Sequence, residues 1–142
     1  MKRSLSKVTV FLLICAIFVG SASAAVVTVQ SSLYLSDYNA WVTASGSGSV
    51  EVGYSVNATR TMTSIGATKI VIQQKSGSSW VAVKTYYSST TSKLLASNTN
   101  SMAGCITYNG TSGNTYRAIV TVFAGNSSGS GSATVTTGSV TA

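Results

Sequence analysis

The sequence predicts an all-β, Ig-like or fibronectin-III-like Greek-key β-sandwich of seven or eight strands, preceded by a cleaved signal peptide. Three observations predict it. Strand-forming Val, Ile, Thr and Tyr dominate the patterned segments. Ser49 to Asn57 alternates strictly, with Val50, Val52, Tyr54 and Val56 in one phase and Glu51, Gly53 and Ser55 in the other. Gly/Ser/Asn clusters interrupt the chain about every ten residues, as turns do in sandwiches. An up-and-down barrel is the alternative architecture.

The N-terminal residues read as a targeting segment. Lys2, Arg3 and Lys7 precede an apolar run from Val8 to Val19, and Ala22-Ser23-Ala24 supplies a small-x-small cleavage site. The run is shorter than the roughly 20 residues a membrane helix needs. The expected organisation is therefore a signal peptide over 1–24, a lead-in over 25–37 able to add a strand, the sandwich over 38–138, and a short polar tail over 139–142. Secretion to the extracellular space follows, with no membrane attachment after cleavage.

The elements follow in order. Val26 to Leu35 is an apolar lead-in. Asn39 to Ser45 places Ala40, Val42 and Ala44 on one face, and Gly46-Ser47-Gly48 turns the chain into the Ser49–Asn57 strand. Ala58 to Ala67 reads as a connection, with Met62 and Ile65 plugging the end of the core. Thr68 to Lys75 has an apolar centre, Ile70-Val71-Ile72, which suggests a central strand. Ser76 to Ser79 is a hairpin loop, and Trp80 to Tyr86 returns. Ser88 to Thr99 is a crossing segment, and Met102 to Tyr108 is a strand. Asn109 to Asn114 is a turn, and Thr115 to Ala124 puts Tyr116, Ala118, Val120 and Val122 on one face. Gly125 to Gly131 is a hairpin loop before the last strand, Ala133 to Thr137.

Tyr116 stands at the entrance of its strand, behind a Gly/Ser/Asn turn, with Ala118 two residues on. This is the pattern of a structural tyrosine corner, in which the hydroxyl bonds back to the preceding connection. Ala118 takes the place of the cysteine that antibody domains carry there. Ser64 to Lys84 and Thr111 to Ala124 together resemble an uncharacterised family of short secreted Gram-positive bacterial proteins with a single Ig-like or fibronectin-III-like domain. The shared features are an Ile-Gly before a central strand, a Gly-Ser hairpin before Trp80, and the Tyr116 corner. They imply a fold and bring no catalytic residue, since fold alone does not carry function.

Composition excludes most chemistry. The chain has no histidine, so a Ser-His-Asp hydrolase is ruled out. Its only acids are Asp37 and Glu51, and Glu51 is expected to face solvent opposite Val50 and Val52. No metal ligand set, cofactor site or catalytic residue is expected. Cys105 is the one cysteine left after processing and is read as a small buried hydrophobe. A Lys–Asn isopeptide bond is not expected, since it needs a buried acid. The basic residues outside the signal, Arg60, Lys69, Lys75, Lys84, Lys93 and Arg117, are scattered singly. That scatter argues against a nucleic-acid stripe and for weak attraction to anionic surfaces such as a bacterial cell wall or mucin.

The aromatics are the functional handle. Trp41 is out of phase with Ala40 and Val42, and Tyr87 is out of phase with Tyr86, so both are expected to be exposed and able to bind a ligand. The Gly125–Gly131 loop is the other candidate site. The sequence thus points to a non-enzymatic secreted interaction module that binds an extracellular or cell-surface glycan or protein and is monomeric. A self-associating extracellular structural protein is the alternative, followed by a bacteriocin-like antagonist.

Overall fold

The structure, a computed structural model, describes residues 33–142. The segment expected to be a signal peptide and the expected lead-in up to residue 32 lie outside the described residues. Alternating apolar segments pair into long antiparallel strands: β1 (Leu35–Gly46), β2 (Ser49–Met62), β3 (Ser64–Ser76), β4 (Ser79–Tyr87), β6 (Thr99–Asn109), β7 (Thr115–Asn126) and β8 (Gly129–Thr136). Two short pieces, β5 (Leu95–Ala96) and β9 (Val140–Thr141), complete them. One sheet has the order β1-β2-β6, and the other has the order β4-β3-β7-β8, with β5 pairing β3 and β9 pairing β7. Two separate open sheets exclude the barrel alternative.

The inner faces follow the period-two pattern. Ala40, Val42, Val50, Val52, Tyr54 and Val56 from the first sheet meet Ile70, Ile72, Ala118, Val120, Val122 and Val135 from the second, all buried. Tyr54, with Tyr116 one of the two largest fully buried side chains, donates its hydroxyl to Leu94 O at 3.0 Å. That bond ties the sheet to the 3-10 turn Ser92–Leu94, which carries the chain from β4 toward β6. Burial pushes the Tyr54 hydroxyl pKa upward, so it stays protonated as a donor.

Several boundaries differ from the expectation. The segment around Met62 is strand rather than connection: β2 runs to Met62, the chain bends at Thr63, and β3 starts at Ser64. Met62 and Ile65 are buried on either side of that bend, so the two strands change sheets without leaving the core. The first strand starts at Leu35, inside the expected lead-in. Residues 139–142 are part of the fold: Val140 pairs with Tyr116 and is buried, and Ala142 N–H donates to Asn114 O at 2.9 Å.

The Tyr116 hydroxyl accepts the Thr111 N–H at 2.8 Å, five residues upstream. Its ring lies against Gly110 and meets Tyr108 edge-on at 5.7 Å. The Ala118 position holds no disulfide; its N–H donates to the buried Thr137 Oγ1 at 2.9 Å, and that hydroxyl donates onward to Gly138 O. Cys105 departs from its expected role. It is half-buried on the outer face of the first sheet, opposite Gly53, rather than in the core.

Aromatics sit on strand glycines throughout. Tyr54 covers its cross-strand partner Gly104, and Trp41 covers its partner Gly53. A glycine in a strand interior leaves a gap on its face, and an aromatic from the next strand fills it.

Candidate binding surface

The two outer faces differ. On the first sheet, Trp41, Gly53 and Cys105 form one row across β1, β2 and β6, and Thr43, Glu51 and Thr107 form the next. Trp41 is half-buried and its indole lies over Gly53; it is not the free platform its phase predicts. Glu51 lies on the outer side, as its phase predicts, yet it is only 8% exposed. Its Oε1 has no hydrogen-bond partner, and burial raises its pKa from the ordinary carboxylate value. The expectation of a solvated Glu51 is therefore corrected.

The outer face of the second sheet is open and chemically richer. On β3 the residues out of phase with Ile70 and Ile72 are Lys69, Val71, Gln73 and Lys75. Pairing sets Tyr87 beside Lys69, Thr85 beside Val71, Ala82 beside Gln73 and Trp80 beside Lys75. From β7 it sets Thr121 beside Lys69, Ile119 beside Val71 and Arg117 beside Gln73. Thr134 and Thr136 of β8 extend the rows beyond Thr121 and Ile119.

Specific contacts order this face. The Arg117 guanidinium stacks on the Trp80 ring at 4.4 Å, and its Nε donates to Gln73 Oε1 at 2.7 Å. Lys69 Nζ lies 5.7 Å from the centre of the Tyr87 ring. Tyr87 is 48% exposed, so the sequence expectation of an outward Tyr87 matches its position. Lys84 Nζ lies 5.4 Å from the Tyr86 ring at the β4 edge, where burial and the neighbouring Tyr108 raise the Tyr86 pKa.

One end of this face carries a shallow, open depression. Phe123, Thr63, Ser64 and residues 125–130 line it. Phe123 stands on the outer side of β7 and leans over Gly125. The loop is held from below: Tyr34 donates its hydroxyl to Ser128 O at 2.9 Å, and Asn126 Oδ1 accepts the Ser128 N–H at 2.8 Å. The expected Gly125–Gly131 loop is mostly strand, because β7 and β8 pair up to Asn126 and Gly129 and leave only Ser127 and Ser128 as the turn; that hairpin end borders the same face that Tyr87 occupies.

The structure does not bring the two named aromatics together, since Trp41 and Tyr87 sit on different sheets. Sequence reasoning missed Trp80, Arg117, Lys69 and Lys75 as a group. Each one's strand phase was readable, but their meeting depends on β3 lying between β4 and β7. Among the described residues, no three His, Cys, Asp or Glu side chains come together as a metal site would need, and no helix is long and apolar enough to cross a membrane. The four lysines of the described residues are all exposed, away from the core where an isopeptide bond would form.

Comparisons with family models, curated proteins and solved structures give no match to this chain.

Proposed function

We propose that the chain is a secreted, non-enzymatic interaction module that holds an extracellular or cell-surface polysaccharide against the outer face of the β4-β3-β7-β8 sheet. The observation that carries this is the open face itself: Trp80 and Tyr87 flank Val71 and Ile119, and hydroxyls of Thr121, Thr134 and Thr136 continue it. Aromatic and apolar surface interleaved with hydroxyl and amide groups suits sugar rings, which present C–H faces and hydroxyl rims. The face is about eight residues long on β7 from Arg117 to Gly125, roughly 26 Å at the usual strand rise, so it spans several sugar units.

We read the sandwich as fibronectin-III-like. Three strands lie opposite four long ones, with the short β5 and β9 added to the second sheet, and Tyr116 makes a corner hydrogen bond of the kind such domains carry. The resemblance to short secreted Gram-positive proteins agrees with this reading, as does the signal-like N-terminus. The non-enzymatic assignment rests on composition: no histidine, and acids on a different sheet from the aromatic face.

The test is binding of the full chain to a panel of immobilised polysaccharides, with Trp80→Ala/Tyr87→Ala against Trp41→Ala. Loss of retention in the first variant and its survival in the second is expected. Equal retention of all three proteins would overturn the choice of face.

A second reading, self-association into an extracellular fibre or matrix, has one observation in its favour. β4 is an edge strand, and it leaves Val81 51% and Val83 38% exposed. Exposed Lys84 and the bulge between the Ile72 and Gln73 pairings oppose it. Sedimentation at rising concentration decides: growth in mass supports this reading, and a constant monomer mass removes it.

A further inference from the structure

The two sheets divide the chain's charge. Both acids, Asp37 and Glu51, lie on β1 and β2. Strands β3, β4, β7 and β8 carry Lys69, Lys75, Lys84 and Arg117 and no acid at all. Three of these cations, Lys69, Lys75 and Arg117, are in register on the outer face, beside Tyr87, Trp80 and Gln73. Resting on the reading of this face as a polysaccharide surface, we propose that its ligand is an acidic polysaccharide whose carboxylates are taken by Arg117, Lys69 and Lys75.

Arg117 is the centre of the site. Its plane is fixed from two directions, by the Trp80 ring beneath it and by Nε donation to Gln73. A guanidinium held in this way has already lost its rotamer freedom. With Nε engaged, the Nη edge is the part that meets a carboxylate, and paired parallel N–H bonds there suit one carboxylate group. Lys69 and Lys75 then act as point charges on either side. Lys69 is four residues along β3 from Gln73, about 13 Å, and Lys75 is two residues beyond Gln73, about 7 Å. Charges at that spacing match a chain that carries carboxylates on sugar rings rather than a densely charged strand.

A nucleic acid fits less well. Duplex DNA carries one charge per roughly 1.7 Å of axis and calls for a far denser cation stripe. The absence of any acid on these four strands also removes the repulsion that would otherwise hold a polyanion away.

The experiment measures binding of the full chain to polygalacturonate, to neutral dextran and amylose, and to oligo(dT), at low and at raised salt. The proteins are the unmodified chain, Lys69→Gln/Lys75→Gln, Arg117→Lys, and the off-face control Arg60→Gln/Lys93→Gln. Polygalacturonate binding is expected to weaken about tenfold or more in the double lysine variant and several-fold in Arg117→Lys, where paired donation is lost. It is also expected to fall with salt, while the control stays at the unmodified level. The double lysine variant changes only exposed side chains, and its melting curve serves as the folding check.

Binding to dextran or amylose as tight as to polygalacturonate, with no salt dependence, would keep the polysaccharide reading and overturn the carboxylate assignment. Absence of binding to every polysaccharide would overturn both. Tighter binding to oligo(dT) than to polygalacturonate, or an equal loss in the Arg60/Lys93 control, would also overturn the assignment.

Discussion

The inner faces of the two sheets are alike, and their outer faces are not. Inside, each sheet offers an alternating apolar row, and the rows close on one core. Outside, the β1-β2-β6 sheet carries a covered indole, a buried carboxylate with one oxygen unpartnered and a half-buried cysteine. The β4-β3-β7-β8 sheet carries cations set against aromatic rings, an exposed Tyr87 and a shallow depression at its end. One backbone pattern therefore serves two ends. Where outer side chains fill gaps over glycine, the face is closed to ligands. Where they are long, polar and in register, it stays available.

The largest expected effect tests the shared core. Ile72→Ala removes a fully buried side chain and is expected to lower stability by about 3 kcal/mol, measured by denaturant unfolding. The adjacent Val71→Ala, on the open outer face, is expected to lose less than about 1 kcal/mol. Equal losses would mean that Val71 is as deeply packed as Ile72, and the contrast between inner and outer faces would fail.

Next comes the closed outer face. A Cβ at Gly53 would run into the Trp41 indole, so Gly53→Val is expected to destabilise by about 2 kcal/mol despite the higher strand propensity of valine. The paired change Gly53→Val/Trp41→Ala should recover part of that loss. If Gly53→Val alone is stabilising, the indole is not seated as described.

Tyr116→Phe is smaller. It deletes the acceptor of the Thr111 N–H and keeps the ring against Gly110 and Tyr108, for an expected loss of about 1 kcal/mol. An unchanged melting temperature would show that water replaces the bond at no cost.

The smallest effect concerns Glu51. Its folded-state pKa lies above its unfolded value, so the folded protein binds the proton more readily. The penalty is then full at pH values above the folded pKa and disappears below the unfolded one, so stability should rise as pH falls from 7 through the carboxylate range. Glu51→Gln is expected to flatten this rise and to stabilise the fold at neutral pH by about 0.5 kcal/mol. A melting temperature in the unmodified protein that drops over the same pH range would contradict the assignment.

Much of the core was legible along the chain. Val50, Val52, Tyr54 and Val56 announce their burial by alternation, and Tyr116 announces its role by the turn before it and the small residue after it. Local pattern suffices there because the side-chain period of a strand is two and a sandwich buries one face. The same logic fails for Glu51 and Trp41. Phase assigns them outward, and only a neighbouring strand decides whether outward means solvent. The polar tail failed for a related reason: Val140 is a single apolar residue without a pattern, and its burial depends on Tyr116 offering a free pairing edge.

By itself, the sequence determined the strand phases, the turns, the lack of a histidine-based reaction, and the placement of both acids before residue 52 and most cations after residue 68. Only the tertiary structure decided that Lys69, Lys75 and Arg117 share a surface with Trp80 and Tyr87. The physical reason is register. Residues that lie dozens of positions apart become neighbours only when backbone hydrogen bonds align β4, β3 and β7. Charge that looks scattered along the chain is gathered onto one face by that alignment.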